Sequence, residues 1–223
     1  MNKPKKLVLF DIDHTIFDTE SYIEKLYIKL SLELGFSDRE EFRKVADALY
    51  DNIRKRTKFL PPDFFLNQLL KSTRTPTTIK KLNKLFWNKE IFEASIYEDV
   101  HSTIKYLVSN NYIIGIFSTG DYDHQKIKVE SLKEHLTDDH IYISEDKFKI
   151  IKKTLPTYEN YKTYILDDLP EILHEAKIHN QKIFTILIKR QNNKREIFTP
   201  DNFKPDAVIS NLDEFIDIIR ANN

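Results

Sequence analysis

The chain of 223 residues balances 35 Lys+Arg against 35 Asp+Glu and contains no cysteine, three glycines and one tryptophan. At roughly 100–200 residues per domain, this length accommodates one large domain or a domain carrying an insertion. Without cysteine there are no disulfides, zinc ribbons or thiol nucleophiles, zero net charge argues against bulk attraction to nucleic acid or anionic membrane, and Gly35, Gly115 and Gly120 cannot write a glycine-rich phosphate loop.

Residues 6–10 form a short apolar run that stops at Asp11, with the length and character of a buried strand. Residues 18–93 then contain no convincing strand. Tyr22, Leu26, Leu30 and Leu34 recur every four residues and predict an amphipathic helix ended by Gly35. Ser37 with Glu40 reads as a capping box for a second helix to Arg54, Pro61-Pro62-Asp63 starts a third, and Pro76 starts a fourth that reaches Trp87. Beyond residue 94 the pattern alternates. Strands are predicted at 112–117, 141–143, 164–166, 183–188 and 207–209, and helices at 99–108, 125–136, 170–179 and 212–220. Such alternation predicts an α/β fold with a doubly wound, mainly parallel sheet, residues 1–17 and 94–223, and an α-helical cap inserted after the first strand, residues 18–93. No apolar run approaches the roughly 18 residues of a membrane span, and residues 1–6 lead straight into a strand, so a cytoplasmic protein without membrane association is expected.

Ligands of open α/β sheets bind beyond the carboxyl ends of the strands. Here those ends read Asp11-Ile12-Asp13-His14-Thr15, Ser118-Thr119-Gly120 and Asp167-Asp168, while residues 141–143 lead to Lys147, Lys149, Lys152 and Lys153. Two carboxylates about 4–5 Å apart repel by about 3–4 kcal/mol at an effective dielectric near 20, so a cluster of acids needs a cation or protons. An all-oxygen donor set points to a hard ion, most simply Mg2+, shared with a phosphate.

The segment LVLFDIDHTI resembles the first motif of the haloacid dehalogenase superfamily, an apolar strand followed by D-x-D-x-T. Phe117-Ser118-Thr119-Gly120 is similar to its second motif, Tyr164 to Asp168 to its fourth in a double-Asp form, and Lys147 is the best-placed third-motif lysine, with Lys149, Lys152 and Lys153 as alternatives. The resemblance implies a Rossmann-like core and a Mg2+-dependent phosphatase acting on a small phosphorylated metabolite. It makes Asp11 the nucleophile that forms an aspartyl-phosphate and Asp13 the acid and base. Ser118 and Thr119 would bind the phosphoryl group with Lys147. The metal would be held by Asp11, the main-chain carbonyl of Asp13, Asp167 and Asp168. Dehalogenases of this superfamily lack an acid two residues after the nucleophile, so Asp13 favours phosphoryl transfer. A phosphomutase and a catalytically idle binding protein on the same fold stay open as alternatives, and nothing in the residues speaks to oligomeric state.

The remaining polar signals have plainer readings. His14 alternates away from Asp11 and Asp13, and the other histidines lack metal-ligand spacing and read as surface or helix-face residues. The basic run Arg54, Lys55, Arg56 and Lys58 reads as a solvated face, with recognition of a substrate anion as the sharper alternative. Phe64, Phe65, Phe86 and Trp87 read as the core of the insertion, and Asn180 as a left-handed helix cap.

Overall fold

Leu7 and Leu9 of β1 (Lys5–Phe10) point to one side of the strand, Val8 and Phe10 to the other, and all four are fully buried. A strand that is apolar on both faces must lie between two layers. In the computed structural model, which describes residues 4–57, 59–73, 75–193 and 198–222, β1 pairs in parallel with β2 (Tyr112–Thr119) and, further along the chain, with the fourth strand. With β3 (Ile141–Ser144), β4 (Tyr161–Asp167), β5 (Phe184–Ile188) and β6 (Ala207–Ile209) the sheet runs in the order β3-β2-β1-β4-β5-β6, every pairing parallel. The chain thus builds outward from β1 on one side, then crosses over to build outward on the other. The crossover leaves a crevice beyond the carboxyl ends of β1 and β4, at the switch in strand order.

Between β1 and β2 the chain forms helices, with no strand among the described residues. α1 (Thr19–Glu33) buries Tyr22, Leu26 and Leu30, is capped by the Asp18 carboxylate on Ser21 N–H, and ends at Gly35, whose φ of 74° suits glycine. α2 (Arg39–Thr57) is preceded not by a Ser37 cap but by Asp38, whose carboxylate accepts from Glu40 N–H at 2.9 Å. α3 (Pro62–Lys71) opens on Pro62 as predicted. α4 (Ile79–Phe86) starts at Thr78, later than Pro76, and a further short helix, α5 (Lys89–Glu93), is capped by Asn88. These helices pack on one another: α1 meets α2, α4 and α5, and α3 joins α2 to α4. Phe65 and Phe86 are buried in this packing, but Phe64 lies 46% exposed, on the outer face of α3.

α6 (Glu98–Ser109) leads into β2. After it, α7 (Tyr122–Lys128) begins three residues earlier than the apolar pattern indicates, because the Asp121 carboxylate caps His124 N–H at 2.9 Å. The rest of the predicted 125–136 helix is a 3-10 turn, Glu130–His135. Residues 147–154, a lysine cluster in sequence, form α8 (Lys147–Thr154), capped by Asp146. α9 (Pro170–His179) matches the predicted span, and α10 (Leu212–Ala221) closes the described chain. Asn180 after α9 is extended, φ −154°, rather than left-handed. Its side chain instead donates to the Leu155 carbonyl and accepts from Lys182 N–H.

Val8, Phe10, Tyr164 and Leu166 meet Val100, Ile104, Phe215 and Ile219 from α6 and α10 on one face. Leu7, Leu9 and Ile165 meet Ile151, Ile172, Leu173 and Ala176 from α8 and α9 on the other. The first of these cores continues unbroken into the helices of residues 19–93 through Phe17, Tyr22 and Phe92. Gly115, in mid-β2, has a packing role: a Cβ there would lie 2.5 Å from the His140 carbonyl oxygen and 2.8 Å from Leu9 Cδ2. The segment ahead of β3 can approach the sheet only because this position carries no side chain.

Candidate active site

The turn after β1 is wound tightly about one carbonyl. Ile12 O accepts from the N–H groups of Thr15, Ile16 and Phe17 at 2.9–3.2 Å, and His14, buried with φ 58°, donates its N–H to Phe17 O. His14 does not line the cavity beyond the strand ends. Asp11 N–H donates to Leu166 O at 2.9 Å, which holds the end of β1 against the end of β4. Asp11 and Asp167 therefore end neighbouring strands and meet.

Lys147, the first residue of α8, reaches both. Its Nζ lies 2.6 Å from Asp11 Oδ1 and 2.5 Å from Asp167 Oδ2, and the ammonium is 4% exposed. Lys149, Lys152 and Lys153 are exposed on the same helix. Asp11, Asp167 and Asp168 bring a carboxylate oxygen each to within 4.8 Å of one another, all three buried. Among the described residues, Lys147 is the ammonium that pairs with Asp11 and Asp167. Burial, helped by the Asp11 and Asp168 charges, raises the Asp167 carboxyl to about 8 against the downward pull of Lys147. Burial would lower Lys147, but the Asp11 and Asp167 charges outweigh it and hold the ammonium above its ordinary value. A buried set of three hard oxygen donors this close together fits a divalent cation, which would relieve about 3–4 kcal/mol of repulsion per carboxylate pair.

Asp13 faces a different set of donors. Its Oδ1 accepts from Thr19 Oγ1 at 2.6 Å and Lys128 Nζ at 2.8 Å, and its Oδ2 from Gln125 Nε2 at 2.8 Å. Its carboxylate is not one of the three clustered acids. Gln125 Nε2 also donates to Ser118 Oγ at 3.1 Å and Thr119 O at 2.7 Å, tying Asp13 to the end of β2. Ser118 is buried and Thr119 exposed. Gly120 next to them has φ 149°, and a Cβ there would press 2.9 Å against Gln125 Cγ. Lys128 and Gln125 are the residues that sequence reasoning missed. With His124 they form one face of α7, at spacings of one and four residues, a pattern readable only once Asp121 is recognised as the cap.

Asp11, Asp13, Ser118, Thr119, Lys147 and Asp168 line one side of a cavity of about 570 Å3, within the roughly 300–1,000 Å3 usual for small-molecule sites. Thr19, Tyr22, Tyr50, Arg54, Phe59 and Leu60 line the other. His124 lies between the two sides rather than on the outer surface. Its ring sits 5.2–5.9 Å from the rings of Tyr22, Phe86, Trp87 and Phe92, with Nε2 3.4 Å from Tyr22 Oη. Burial, aided by the Lys128 charge, holds the imidazole well below its ordinary value, against a smaller opposing pull from Asp13. The folded state thus keeps His124 neutral at a pH where the unfolded chain protonates it. Stability contributed this way is present above about pH 6.5 and lost as pH falls below it, by up to about 1.4 kcal/mol per pH unit. In urea titrations at pH 7.5 and 5.5, His124→Gln should lose less stability on acidification than the wild type; equal losses would show that His124 does not carry this dependence.

No curated protein matches the sequence. The family model for haloacid dehalogenase-like hydrolases matches residues 8–158, and the chain belongs to that family. The matched span holds Asp11, Asp13, Ser118 and Lys147 but stops short of Asp167 and Asp168. Among solved structures, a haloacid dehalogenase-like hydrolase from Burkholderia xenovorans superposes with a TM-score of 0.73 at 16% identity, over 96% of this chain and 98% of that one. The defluorinating L-2-haloacid dehalogenase Rha0230 gives 0.69 at 14% identity over 97% and 95%. A HAD phosphatase from Thermococcus onnurineus gives 0.59 at 22% identity over 96% and 97%. At these identities the likeness is one of fold, and the fold serves both phosphorus and carbon chemistry.

Proposed function

We propose that this chain is a Mg2+-dependent phosphatase that hydrolyses a small phosphate monoester through an aspartyl-phosphate on Asp11, with residues 18–93 acting as a cap over the site. The observation that carries the reading is Lys147 Nζ shared between Asp11 and Asp167, with Asp168 beside them and Asp13 on the same cavity. Asp13 supports phosphoryl transfer over dehalogenation. An acid two residues after the nucleophile has work to do when an alkoxide leaves and water must be activated, and little when a halide leaves. Asp11, Asp167 and Asp168, with the Asp13 carbonyl, would hold the ion, which supplies charge neutralisation for the phosphoryl oxygens.

In this reading an Asp11 carboxylate oxygen bonds to phosphorus as the ester P–O bond breaks, and Asp13 gives a proton to the departing alcohol oxygen. Water then attacks the aspartyl-phosphate, its proton passes to Asp13, and the Asp11 carboxylate is restored with release of phosphate. Lys147 keeps the Asp11 carboxylate turned toward the cavity and offsets its charge. Ser118 Oγ, already accepting from Gln125, has its own proton free to donate to a phosphoryl oxygen. Thr19, Gln125 and Lys128 hold Asp13 in one orientation; to act as the acid it takes up a proton, exchanging one of these contacts, as substrate binds, and it regains that proton from the attacking water.

The test is a release screen with sugar phosphates, nucleotides, phospho-amino acids and an activated aryl phosphate, alongside 2-haloacids, with and without Mg2+. Phosphate release that requires the ion is the expected result. Halide release without phosphate release would overturn the reading in favour of carbon chemistry, and no turnover of any monoester would favour an idle binding protein. Interconversion of phosphate positions without net release would make it a mutase.

A further inference from the structure

Resting on the phosphatase reading of the site, we infer that the substrate carries a second anionic group, a carboxylate or another phosphate, which Arg54 binds on the helical side of the cavity. The charges around the cavity are divided. Asp121, Glu145, Asp146 and Glu171 add further acid around Asp11, Asp13 and Asp168 at the strand ends. The two lysines that line that side among the described residues are already engaged, Lys147 by Asp11 and Asp167 and Lys128 by Asp13.

The opposite side carries Arg54, on α2, whose guanidinium has no carboxylate within ion-pair distance among the described residues. It is held in place without being neutralised: Nη1 donates to Tyr50 Oη at 3.0 Å, and the guanidinium lies 5.7 Å from the Tyr50 ring centroid. Arg54, Lys55 and Arg56 of the basic run that stood out in the sequence are all exposed, and of these Arg54 alone lines the cavity; Lys58 lies outside the described residues. Between the two ends, Ile23, Phe59, Leu60 and Ile172 offer apolar surface to the body of the molecule. A planar fork of donors with remaining hydrogen-bonding capacity suits a carboxylate or phosphate, which it can take in bidentate form. A neutral alcohol end would leave that charge unused; a cationic end would be repelled by it.

The experiment measures binding first, so that it stands apart from turnover. In Mg2+ buffer, calorimetry would compare benzylphosphonate with its para-carboxy and para-phosphonomethyl derivatives. The wild type should bind at least one of the two probes that carry a second anionic group about tenfold more tightly than the parent, and Arg54→Gln should bring that ratio close to one. Arg56→Gln, two residues along α2 and outside the cavity, should keep it, which separates a local contact from a general loss of charge. Preference for the carboxy or the phosphonomethyl probe identifies which anion the substrate carries. A wild-type ratio near one, or a ratio retained in Arg54→Gln, overturns the inference even if monoesters are hydrolysed. A preference that Arg54→Gln removes, in a protein that releases no phosphate from any monoester, upholds the anion site and overturns the phosphatase reading instead.

Discussion

If Asp11 is the nucleophile of the proposed phosphatase, Asp11→Asn should lower turnover of the best phosphate monoester by at least about a thousandfold, because an amide cannot serve as the oxygen nucleophile. Stability should not fall with it. Asp11 is one of three buried acids clustered together, and its neutral isostere keeps an oxygen to accept from Lys147 while removing one member of the repelling set. In the metal-free protein the variant should therefore melt at or above the wild-type temperature. The stabilisation that Mg2+ gives the wild type should shrink, since a carboxylate ligand is gone. Phosphate release and thermal unfolding, each with and without Mg2+, test the three statements together. Residual activity of a few per cent would remove Asp11 from the covalent role, whereas a large loss of stability would show that the carboxylate holds the fold together and would leave its chemistry unproven.

The strand ends were legible in the sequence for a physical reason. Buried parallel strands are continuous apolar runs, so an acid such as Asp11 or Asp167 that interrupts one marks where the chain leaves the sheet, and the switch in strand order brings such ends together. The insertion was legible as helices from the four-residue spacing of Tyr22, Leu26, Leu30 and Leu34, and its boundaries slipped where a neighbouring cap residue prevailed, Asp38 over Ser37 and Thr78 over Pro76. Asp13's partners were not legible. Lys128 and Gln125 lie more than one hundred residues from it, and their direction depends on where α7 begins, which the apolar pattern places too late. The same holds for Gly115, whose need for hydrogen in place of a side chain arises from a backbone segment that crosses above it. Contacts set by tertiary approach leave no local periodicity to read.

Arg190 has the same kind of hidden role, and Arg190→Met should cost about 3–5 kcal/mol of stability, the usual range when one partner of a buried ion pair is removed. The side chain is 8% exposed and enters from beyond the end of β5. Its Nε and Nη2 donate to Thr15 O at 3.1 and 2.8 Å, and Nη1 and Nη2 donate to the two Asp99 carboxylate oxygens at 2.6 and 3.0 Å. The guanidinium carbon also lies 4.0 Å from the Tyr97 ring centroid. Asp99 in turn accepts from Leu212 N–H at 2.8 Å, so one guanidinium joins the turn that carries Asp11 and Asp13 to the starts of α6 and α10. Methionine fills the volume but leaves the Thr15 carbonyl short of its donors and the Asp99 charge unpaired. Against a total stability of about 5–15 kcal/mol, that is enough to unfold a sizeable fraction of the protein near its working temperature. Arg190→Lys keeps the charge but cannot span both acceptors as a fork, so an intermediate cost is expected. Urea denaturation of the two variants, with Asp99→Asn and the Arg190→Met/Asp99→Asn double variant, isolates the pair: coupling of the two changes should exceed about 1 kcal/mol, and additive losses would show that Arg190 does not act through Asp99.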